Sequence, residues 1–409
     1  MARSDRPRAS GPRAEATPVA EGRSLRVAGL FAGIGGLELG LHRAGHRCEL
    51  LCEVDRAASA VLAARFPGVD RVDDVRSIDE LPHVDLVVAG FPCQDLSQAG
   101  RTAGIDGAKS GLVGELFRLI ERGGPDRLLL ENVPFMLQLQ RGRAMEVLVE
   151  RLERAGFAWA YRVVDAQSFG LPQRRRRVLL AASRCTGEDP RDILLADDAE
   201  HPPAIDDVDS ACGFFWTEGS RGLGWAVDAV PTLKGGSTIG IPSPPAIWLR
   251  GSDGAIVRPE IRDAERLQGF EADWTAPATD AGERASMRWR LVGNAVSVPM
   301  AAWIGSRFRL PARYDSARDR DLPPGAPWPA AAWGRDRRRA AAEISHFPIS
   351  VEYQHLSEFL RFPAPALSHR ASAGFFKRLE ASTLRVDPAF REAMRRHVEQ
   401  SRPNAGIGS

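Results

Sequence analysis

Short apolar segments alternate with helical segments along the first half of this 409-residue chain. The predicted strands cover residues 25–31, 48–54, 84–89, 127–131, 158–164 and 177–182. The predicted helices between them cover residues 37–44, 57–66, 115–122 and 144–155. Strands that alternate with helices at this spacing are typical of a parallel sheet with helices on both faces. The pattern therefore predicts an α/β fold, in which ligands bind at the carboxyl ends of the strands.

The regular alternation ends near residue 183, and the flanking segments differ from it. Residues 1–23 are rich in Ala, Arg, Pro and Ser without a hydrophobic period, which predicts a disordered tail. Residues 184–257 are rich in Gly, Pro and Trp, which favours loops and short strands over helices. Helical spacing returns within residues 258–310.

The last hundred residues form a further segment of their own. Residues 311–340 are rich in Pro, Arg and Ala and are interpreted as a connector, and helices are predicted at 371–379 and 388–399. We expect residues 311–409 to extend the sheet domain, and docking of a partner protein is the alternative.

Composition excludes several classes of protein. No apolar stretch reaches the ~20 residues that a membrane span needs, and the first residues lack a signal-peptide pattern. The five cysteines are scattered, which favours a reducing cytoplasm over a disulfide framework. The formal net charge is +2, so overall charge does not predict nucleic-acid binding. Nearly all of the positive charge is arginine, a bias that a GC-rich genome explains more simply than phosphate contacts do.

A glycine-rich turn follows the first predicted strand, where residues 31–36 read FAGIGG. Such glycines allow a tight turn and a close approach of the backbone to a ligand. Because Glu38 stands where the dinucleotide-binding pattern has its third glycine, a diphosphate ligand loses support. Glu53 ends the next strand, where a carboxylate would meet ribose hydroxyls, and Asp74 could receive an adenine amino group. These residues fit a nucleoside such as S-adenosylmethionine, and they equally fit a simple turn with a capping acid.

A cysteine follows the third predicted strand, in the segment 90–97 that reads GFPCQDLS. Cys93 lies where parallel sheets bind ligands, and Pro92 restricts the backbone that presents it. A stabilised thiolate at this position would be a nucleophile. A lone cysteine is as well explained as a small buried hydrophobic residue, so these residues alone leave both roles open.

Charged residues end the fourth predicted strand and begin the last one. Parallel topology would place Glu131 at the same sheet edge as Cys93. A carboxyl in a closed pocket near a thiol can have a raised pKa and donate a proton, although capping a turn is the simpler role for a lone acid. The four arginines at 174–177 indicate phosphate contacts or a solvated face. Strand alternation would put Arg175 and Arg177 on one face and the other two on the opposite face.

Together these residues form an ordered set of blocks that resembles the cytosine-C5 DNA methyltransferase family. The blocks are LFAGIGG at 30–36, GFPCQ at 90–94, ENV at 131–133, QRRRR at 173–177, RLQGF at 266–270 and GNAVSVP at 293–299. Six blocks in family order make chance a poor explanation. The PTL triplet at 231–233 is similar to the Thr-Leu pair of family recognition domains.

The resemblance implies a Rossmann-like, S-adenosylmethionine-dependent methyltransferase sheet with a small, loop-rich target-recognition domain inserted. It assigns residues 24–183 to a catalytic, cofactor-binding domain, 184–257 to target recognition and 258–310 to the return of the chain to the catalytic domain. The implied catalytic residues are Cys93, Glu131, Arg177 and Arg175. The implied cofactor-binding residues are Phe31, Gly33, Ile34, Gly35, Gly36, Glu53, Val54, Asp74, Val75, Pro92, Leu112 and Asn294. The candidates for DNA contact are Gln94, Ser97, Arg174, Arg221, Thr232, Lys234 and Arg250, and no metal ligand is expected.

The implied activity is that of a DNA (cytosine-5-)-methyltransferase. The Cys93 thiolate would add to carbon 6 of a cytosine flipped out of duplex DNA, Glu131 would donate to N3, and Arg177 would hold O2. Arg175 would support the loop or Glu131. The expected setting is a cytoplasmic monomer of a prokaryotic restriction–modification or phage-defence system, in which other defence proteins are conceivable partners.

Three rival functions use the same residues. An RNA cytosine-5 methyltransferase would apply the same site to a transfer RNA, although the glycine-rich variable region favours duplex DNA. An inactive DNA-binding module would have no reason to keep Cys93, Glu131 and Arg177 together. A nicotinamide oxidoreductase is disfavoured by the missing third glycine and by the Pro-Cys pair in the site.

Overall fold

The computed structural model describes residues 22–91, 111–201, 211–235, 243–250 and 254–402. The predicted cysteine loop, with Pro92, Cys93, Gln94 and Ser97, lies outside the described residues. Residues 1–21 of the predicted disordered tail lie outside them as well. Arg23, at the end of that tail, forms an ion pair with Asp85 at 3.2 Å.

The predicted elements before residue 183 are all present, with bounds that shift by a few residues. The strands are β1 (Arg26–Leu30), β2 (Arg47–Cys52), β3 (Asp70–Val72), β4 (Leu86–Ala89), β5 (Arg127–Asn132), β6 (Ala158–Asp165), β7 (Gln173–Arg174), β8 (Arg176–Ser183), β9 (Cys212–Phe214), β10 (Ala226–Val227), β11 (Val230–Pro231), β12 (Ala246–Leu249), β13 (Ala255–Val257), β14 (Asp319–Asp321), β15 (Ala331–Arg335) and β16 (Arg338–Ala342). The α-helices are α1 (Gly36–Arg43), α2 (Arg56–Arg65), α3 (Leu112–Glu121), α4 (Arg143–Arg154), α5 (Pro190–Leu194), α6 (Ile261–Leu267), α7 (Ala276–Asp280), α8 (Ser286–Asn294), α9 (Val298–Arg309), α10 (Leu356–Phe359), α11 (His369–Glu380) and α12 (Pro388–Gln400). None of these described helices is long and apolar enough to cross a membrane.

Ten of these strands form one sheet, in the order β14-β16-β15-β6-β8-β5-β4-β1-β2-β3. The strands from β3 to β5 in this order run parallel. Chain order reverses at β1, which has β2 on one side and β4 on the other. In open α/β sheets, ligands bind beyond the carboxyl ends of the strands at such a reversal. The topology therefore places a ligand site beyond β1 and β4.

Helices cover both faces of the central sheet, as predicted. On one face α3 and α4 bury apolar residues such as Phe117 and Leu148 against the strands. On the other face α1 and α9 bury residues such as Leu41 and Ile304. The central strand β4 is buried along its whole length, which explains its unbroken apolar sequence.

The predicted parallel pairing is confirmed for β1 to β5, and the sheet is antiparallel beyond β5. β8 pairs antiparallel with β5, and β6 pairs antiparallel with β8. β6 and β8 are separated only by residues 166–175, and so short a connection allows antiparallel pairing but not a parallel crossover. The β5–β8 pairing brings Glu131 opposite Leu179, two residues from Arg177 on the same face of the sheet.

The interpretation of residues 311–340 as a connector is wrong. Within and just beyond this segment lie β14, β15 and β16, which lengthen the central sheet past β6. Ala332 is in register with Tyr161 of β6, and Trp328 packs against the same tyrosine ring at 6.1 Å. Alanine has little intrinsic preference for β-strands. The alanine-rich strand β15 therefore depends on pairing with the open edge of β6.

A second, antiparallel sheet has the strand order β10-β9-β12-β13. The C-terminal helices α11 and α12 cover it: Phe375 and Phe390 are fully buried, with ring centroids 5.1 and 5.0 Å from that of Phe214. The chain after residue 310 therefore splits between the two sheets. Residues 319–342 join the central sheet, and residues 369–400 pack on the small one.

Candidate active site

A cavity of about 440 Å³ opens at the carboxyl ends of β1, β2, β4 and β5. Its lining includes many of the residues that the resemblance implied, namely Phe31, Gly33, Ile34, Glu53, Val54, Asp74, Val75, Leu112, Glu131, Arg177 and Asn294. It also includes residues that the sequence did not single out, namely Asp55, Asp73, Arg76, Asn132, Arg290 and Ala295. Gly35 and Gly36 do not line this cavity: the backbone of Gly35 lies against the Phe66 ring, and that of Gly36 against the Val296 carbonyl.

The glycine turn is held open toward the cavity by an unusual backbone. Phe31 and Gly33 have φ values of 56° and 57°, in the left-handed region that residues other than glycine rarely adopt. Among the described residues, no atom lies within 4 Å of the place that a Gly33 side chain would occupy. The Gly33 N–H donates to Glu53 Oε2 at 2.7 Å, so the turn and the acid form one unit.

Glu53 presents a carboxylate whose position is determined by the backbone. Its Oε1 accepts from the Asp55 N–H at 2.8 Å, and its Oε2 accepts from Gly33. Burial raises the pKa of Glu53, and the two N–H donors oppose that rise. Each oxygen keeps a free lone pair, so the group can still accept hydrogen bonds from hydroxyls in the cavity.

The cavity fits a nucleoside without a diphosphate. Beside Glu53, the side chain of Val54 is 71% exposed and offers an apolar surface for a planar base. This end has more carboxylates (Glu53, Asp55, Asp73 and Asp74) than guanidinium groups (Arg76 and Arg290), and the excess negative charge disfavours a diphosphate. Asp74 accepts hydrogen bonds from Arg76 and caps the 3-10 helix Val75–Ser77. S-adenosylmethionine, a nucleoside with a cationic sulfonium, has the chemistry that this wall suits.

Glu131 and Arg177 form a buried ion pair on the adjoining wall. Arg177 Nε lies 3.0 Å from Glu131 Oε1, and the two side chains are only 9% and 10% exposed. Burial raises the pKa of the Glu131 carboxyl, against the opposing charges of Arg177 and Arg175. Its second oxygen faces Gly90, the last residue but one before the undescribed cysteine loop. A carboxyl with this environment can serve as a proton donor.

The four arginines alternate as predicted: Arg174 and Arg176 are exposed, whereas Arg175 and Arg177 are buried. Arg175 is fully buried and does not line the cavity. Its guanidinium donates to the carbonyl oxygens of Leu233 (3.1 Å), Gly293 (3.2 Å) and Ala295. It therefore ties the strand of Arg177 to two distant segments, which matches a supporting role.

Two amides stabilise the same region and were not assigned a role from the sequence. Asn132 Nδ2 donates to the Phe91 carbonyl at 3.0 Å and so holds the residue before the cysteine loop. Gln173 Nε2 donates to the Leu267 carbonyl at 2.7 Å, and its Oε1 accepts from the Leu233 N–H. The two amides belong to the ENV and QRRRR blocks. Their hydrogen-bond partners lie far away in the chain, so the sequence alone did not indicate these contacts.

A second, cationic cavity of about 390 Å³ adjoins the ion pair. It is lined by Pro134, Arg174, Arg176, Arg177 and Thr232. Two of these residues, Arg174 and Thr232, are predicted DNA contacts, and Arg176 is an addition from the structure. Exposed guanidinium groups beside a hydroxyl are suited to a phosphate backbone.

The other described candidates for DNA contact have different surroundings. Arg221 is exposed. Lys234 Nζ pairs with Glu218 at 2.8 Å and lies over the Phe215 ring. Arg250 forms an ion pair at 3.3 Å with Asp387, the N-cap of α12, so it joins the C-terminal segment to the small sheet.

Known proteins match most of this chain. The family described as C-5 cytosine-specific DNA methylase matches residues 25–200. The chain is 50% identical over 372 residues to the Type II methyltransferase M2.BsuMI of Bacillus subtilis (strain 168), covering 88% of this chain and 94% of that protein. Residues 1–310 alone could not supply that coverage, so the similarity reaches into the C-terminal segment.

More distant proteins show the same relationship over a smaller part of the chain. The Type II methyltransferase M.NlaX of Neisseria lactamica is 29% identical and covers 70% of this chain and 96% of that protein. The crystal structure of the S. pombe Dnmt2 methyltransferase has a TM-score of 0.51 at 16% identity, covering 70% of this chain and 98% of that one. At this identity the structural similarity concerns the fold alone.

Proposed function

Because this chain belongs to the C-5 cytosine-specific DNA methylase family, we propose that it transfers a methyl group from S-adenosylmethionine to carbon 5 of cytosine in duplex DNA. The observation that carries the proposal is the buried Glu131–Arg177 ion pair, in which Arg177 Nε lies 3.0 Å from Glu131 Oε1. Both residues line a cavity that fits a nucleoside. An acid with a raised pKa and a fixed guanidinium are the groups needed to bind and polarise a cytosine ring.

The residues on the cavity wall have defined parts in holding the cofactor. Glu53 would accept hydrogen bonds from the ribose hydroxyls, and the Gly33 turn would leave room for the chain that carries the sulfonium. Phe31, Val54 and Leu112 provide apolar contacts for the adenine. When bound, S-adenosylmethionine supplies an electrophilic methyl group that carbon 5 of an activated cytosine can attack.

The protein's own residues activate the cytosine. The Cys93 thiolate forms a bond with carbon 6 while Glu131 donates a proton to N3, which makes carbon 5 electron-rich. Arg177 holds O2 and keeps Glu131 oriented, and Arg175 keeps the strand of Arg177 in place. After methylation a base removes the proton from carbon 5, the bond between Cys93 and carbon 6 breaks, and N3 returns its proton to Glu131 as the ring regains its aromaticity.

The target base leaves the duplex to reach these groups. Glu131 is 8% exposed and lies at the floor of the site, where a base stacked in DNA has no access. Flipping one nucleotide brings the edge of the cytosine to Glu131 and Arg177. The phosphate backbone on either side would then run along the cationic cavity formed by Arg174, Arg176 and Thr232.

The names of the relatives suggest a biological setting. M2.BsuMI and M.NlaX are both called Type II methyltransferases. We place this chain in the same class, as the modification enzyme of a bacterial restriction–modification system that acts on DNA in the cytoplasm. We further propose that the protein acts as a monomer and recognises its target sequence with residues 184–257.

Methyl transfer from tritium-labelled S-adenosylmethionine tests the proposal directly. The full chain is incubated with unmethylated bacterial DNA or with transfer RNA, and bisulfite sequencing then locates the product. We expect label in DNA only, and Cys93→Ser should abolish transfer while calorimetry shows unchanged cofactor binding. Label in RNA alone, or full turnover by Cys93→Ser, would contradict the proposal.

A further inference from the structure

Residues 215–225 join β9 to β10 beside the cationic cavity, and we call them the reading loop. Arg174 Nη2 donates to the Gly224 carbonyl at 3.2 Å, which ties one end of the loop to the arginine strand. Lys234 pairs with Glu218 Oε1 at 2.8 Å, close to the other end. The loop thus borders the place where a DNA backbone would enter.

The loop is a small internally bonded unit. The Phe215 N–H donates to the Leu223 carbonyl at 2.7 Å, and the Gly219 N–H donates to the Gly222 carbonyl at 3.0 Å. At its tip Ser220 and Arg221 are exposed. Because these bonds join the two arms, a shift of residues 216–218 moves the tip with them.

The side chain of Arg378, in the C-terminal segment, hydrogen-bonds the backbone of the reading loop. Arg378 of α11 donates from Nε to the Glu218 carbonyl at 2.8 Å and from Nη2 to the Trp216 carbonyl at 2.8 Å. On the same helix, the Phe375 ring lies against Gly219, where an added side chain would come within 3.2 Å of it. Gly219 has a φ of 111°, which glycine adopts without strain.

The helix that carries Arg378 is itself firmly packed. Phe375 and Leu379 on either side of Arg378 are fully buried, in the cluster that includes Phe214 and Phe390. Phe375 and Leu379 therefore make the buried apolar contacts of α11, whereas the Arg378 guanidinium hydrogen-bonds the loop. This division of roles separates the position of the loop from the stability of the small domain.

We propose that Arg378 is a positioning residue for DNA recognition, which holds the reading loop so that its tip meets the DNA entering the site. The inference rests on the proposed function and assigns a role in it to the C-terminal segment. Arg378 touches neither the target base nor the cofactor. Its effect appears in the affinity for DNA and in the choice of sequence, not in the chemical step.

The test compares Arg378→Ala and Arg378→Lys with Arg370→Ala, which removes an exposed arginine from the same helix. Each full-length variant methylates unmethylated bacterial DNA, and bisulfite sequencing gives the sites used. We expect Arg378→Ala to raise KM for DNA by about tenfold, or to relax site preference as much, because two charge-assisted hydrogen bonds are lost. The kcat and cofactor binding should stay within about twofold, Arg378→Lys should be intermediate, and Arg370→Ala should match the wild type.

Two outcomes would separate failure of the inference from failure of the function. A wild-type chain that binds S-adenosylmethionine but methylates no DNA would refute the function. An active wild type with unchanged KM and site preference in Arg378→Ala would refute the inference, even if the melting temperature fell. Should Arg378→Ala not fold, Arg221→Ala alters the tip alone, and wild-type KM and site preference for that variant would equally overturn the proposal.

Discussion

Arg177 Nε lies 3.0 Å from Glu131 Oε1, and the two residues come from neighbouring antiparallel strands. Glu131 is in register with Leu179, so side-chain alternation places Arg177 on the same face as the acid. The pair is therefore set by the hydrogen bonds of the sheet and not by a loop. This rigidity suits the proposed role of the pair, which is to hold a cytosine at N3 and O2.

Replacing the acid tests its part in the chemistry. We expect Glu131→Gln to lower kcat at least 100-fold, because the amide cannot transfer a proton to the base. Binding of S-adenosylmethionine, measured by calorimetry, should change little, and the exposed Glu121→Gln should behave as the wild type. A kcat within twofold of the wild type would contradict the role of Glu131.

Glu53 is expected to contribute to cofactor affinity. Glu53→Ala removes a carboxylate that can accept ribose hydroxyls and that also holds the Gly33 turn. We expect the Kd for S-adenosylmethionine to rise about tenfold or more in titration calorimetry. The exposed Asp70→Asn gives the matched control, and an unchanged Kd in Glu53→Ala would exclude the contact.

The stability of the protein should depend on pH through Glu38. Its side chain is 2% exposed, no other described residue donates to its oxygens, and burial raises its pKa from 4.5 to about 8, with the nearby charge of Glu53 adding to the rise. The folded state keeps a proton that the unfolded state releases, so the free energy of unfolding falls as pH rises from about 4.5 to about 8.

Urea unfolding between pH 4 and pH 8.5 measures this effect. Glu38→Gln is neutral throughout, so near pH 8 it should exceed the wild type by a few kcal/mol, whereas the two should be similar near pH 4. Parallel stability curves for the two proteins would show that Glu38 does not titrate as described.

Arg175 should matter for stability more than its neighbour on the same strand. Arg175→Ala leaves the carbonyls of Leu233, Gly293 and Ala295 without this donor in a buried region. We expect the free energy of unfolding to fall by about 2–4 kcal/mol. The exposed Arg174→Ala should stay within about 0.5 kcal/mol, and equal effects in the two variants would argue against the contacts.

The C-terminal helices should stabilise the small sheet through Phe390. This ring is fully buried, and its centroid lies 5.0 Å from Phe214 and 4.9 Å from Trp225. Phe390→Ala should lower the free energy of unfolding by about 3–5 kcal/mol. Phe135, which is 59% exposed, provides the control, because Phe135→Ala should change stability little.

Much of the site was predictable from local patterns. The turn at residues 31–36 and the acids Glu53 and Glu131 each lie at the end of a strand whose apolar sequence is clear. Because parallel strands end at one edge, these residues were expected to meet, and all of them line or adjoin one cavity. Cys93 lies outside the described residues, so its place beside Glu131 stays a prediction.

The partners of individual polar groups were not predictable. Arg250, a candidate for DNA contact, also pairs with Asp387, which is 137 residues away in the chain. Asp74, which could receive an adenine amino group, also accepts a hydrogen bond from Arg76. Hydrogen bonds depend on distances of a few tenths of an ångström, which no residue spacing determines.

The sequence by itself determined the order of strands and helices through residue 183, the glycine turn and the chemical type of the residues at the strand ends. Only the tertiary structure decided that β8 runs antiparallel to β5, which brings Arg177 to Glu131. It also decided that residues 319–342 lengthen one sheet while α11 and α12 cover the other. The reason is physical: hydrophobic period and turn chemistry act within a few residues, whereas strand pairing and burial depend on surfaces from distant parts of the chain.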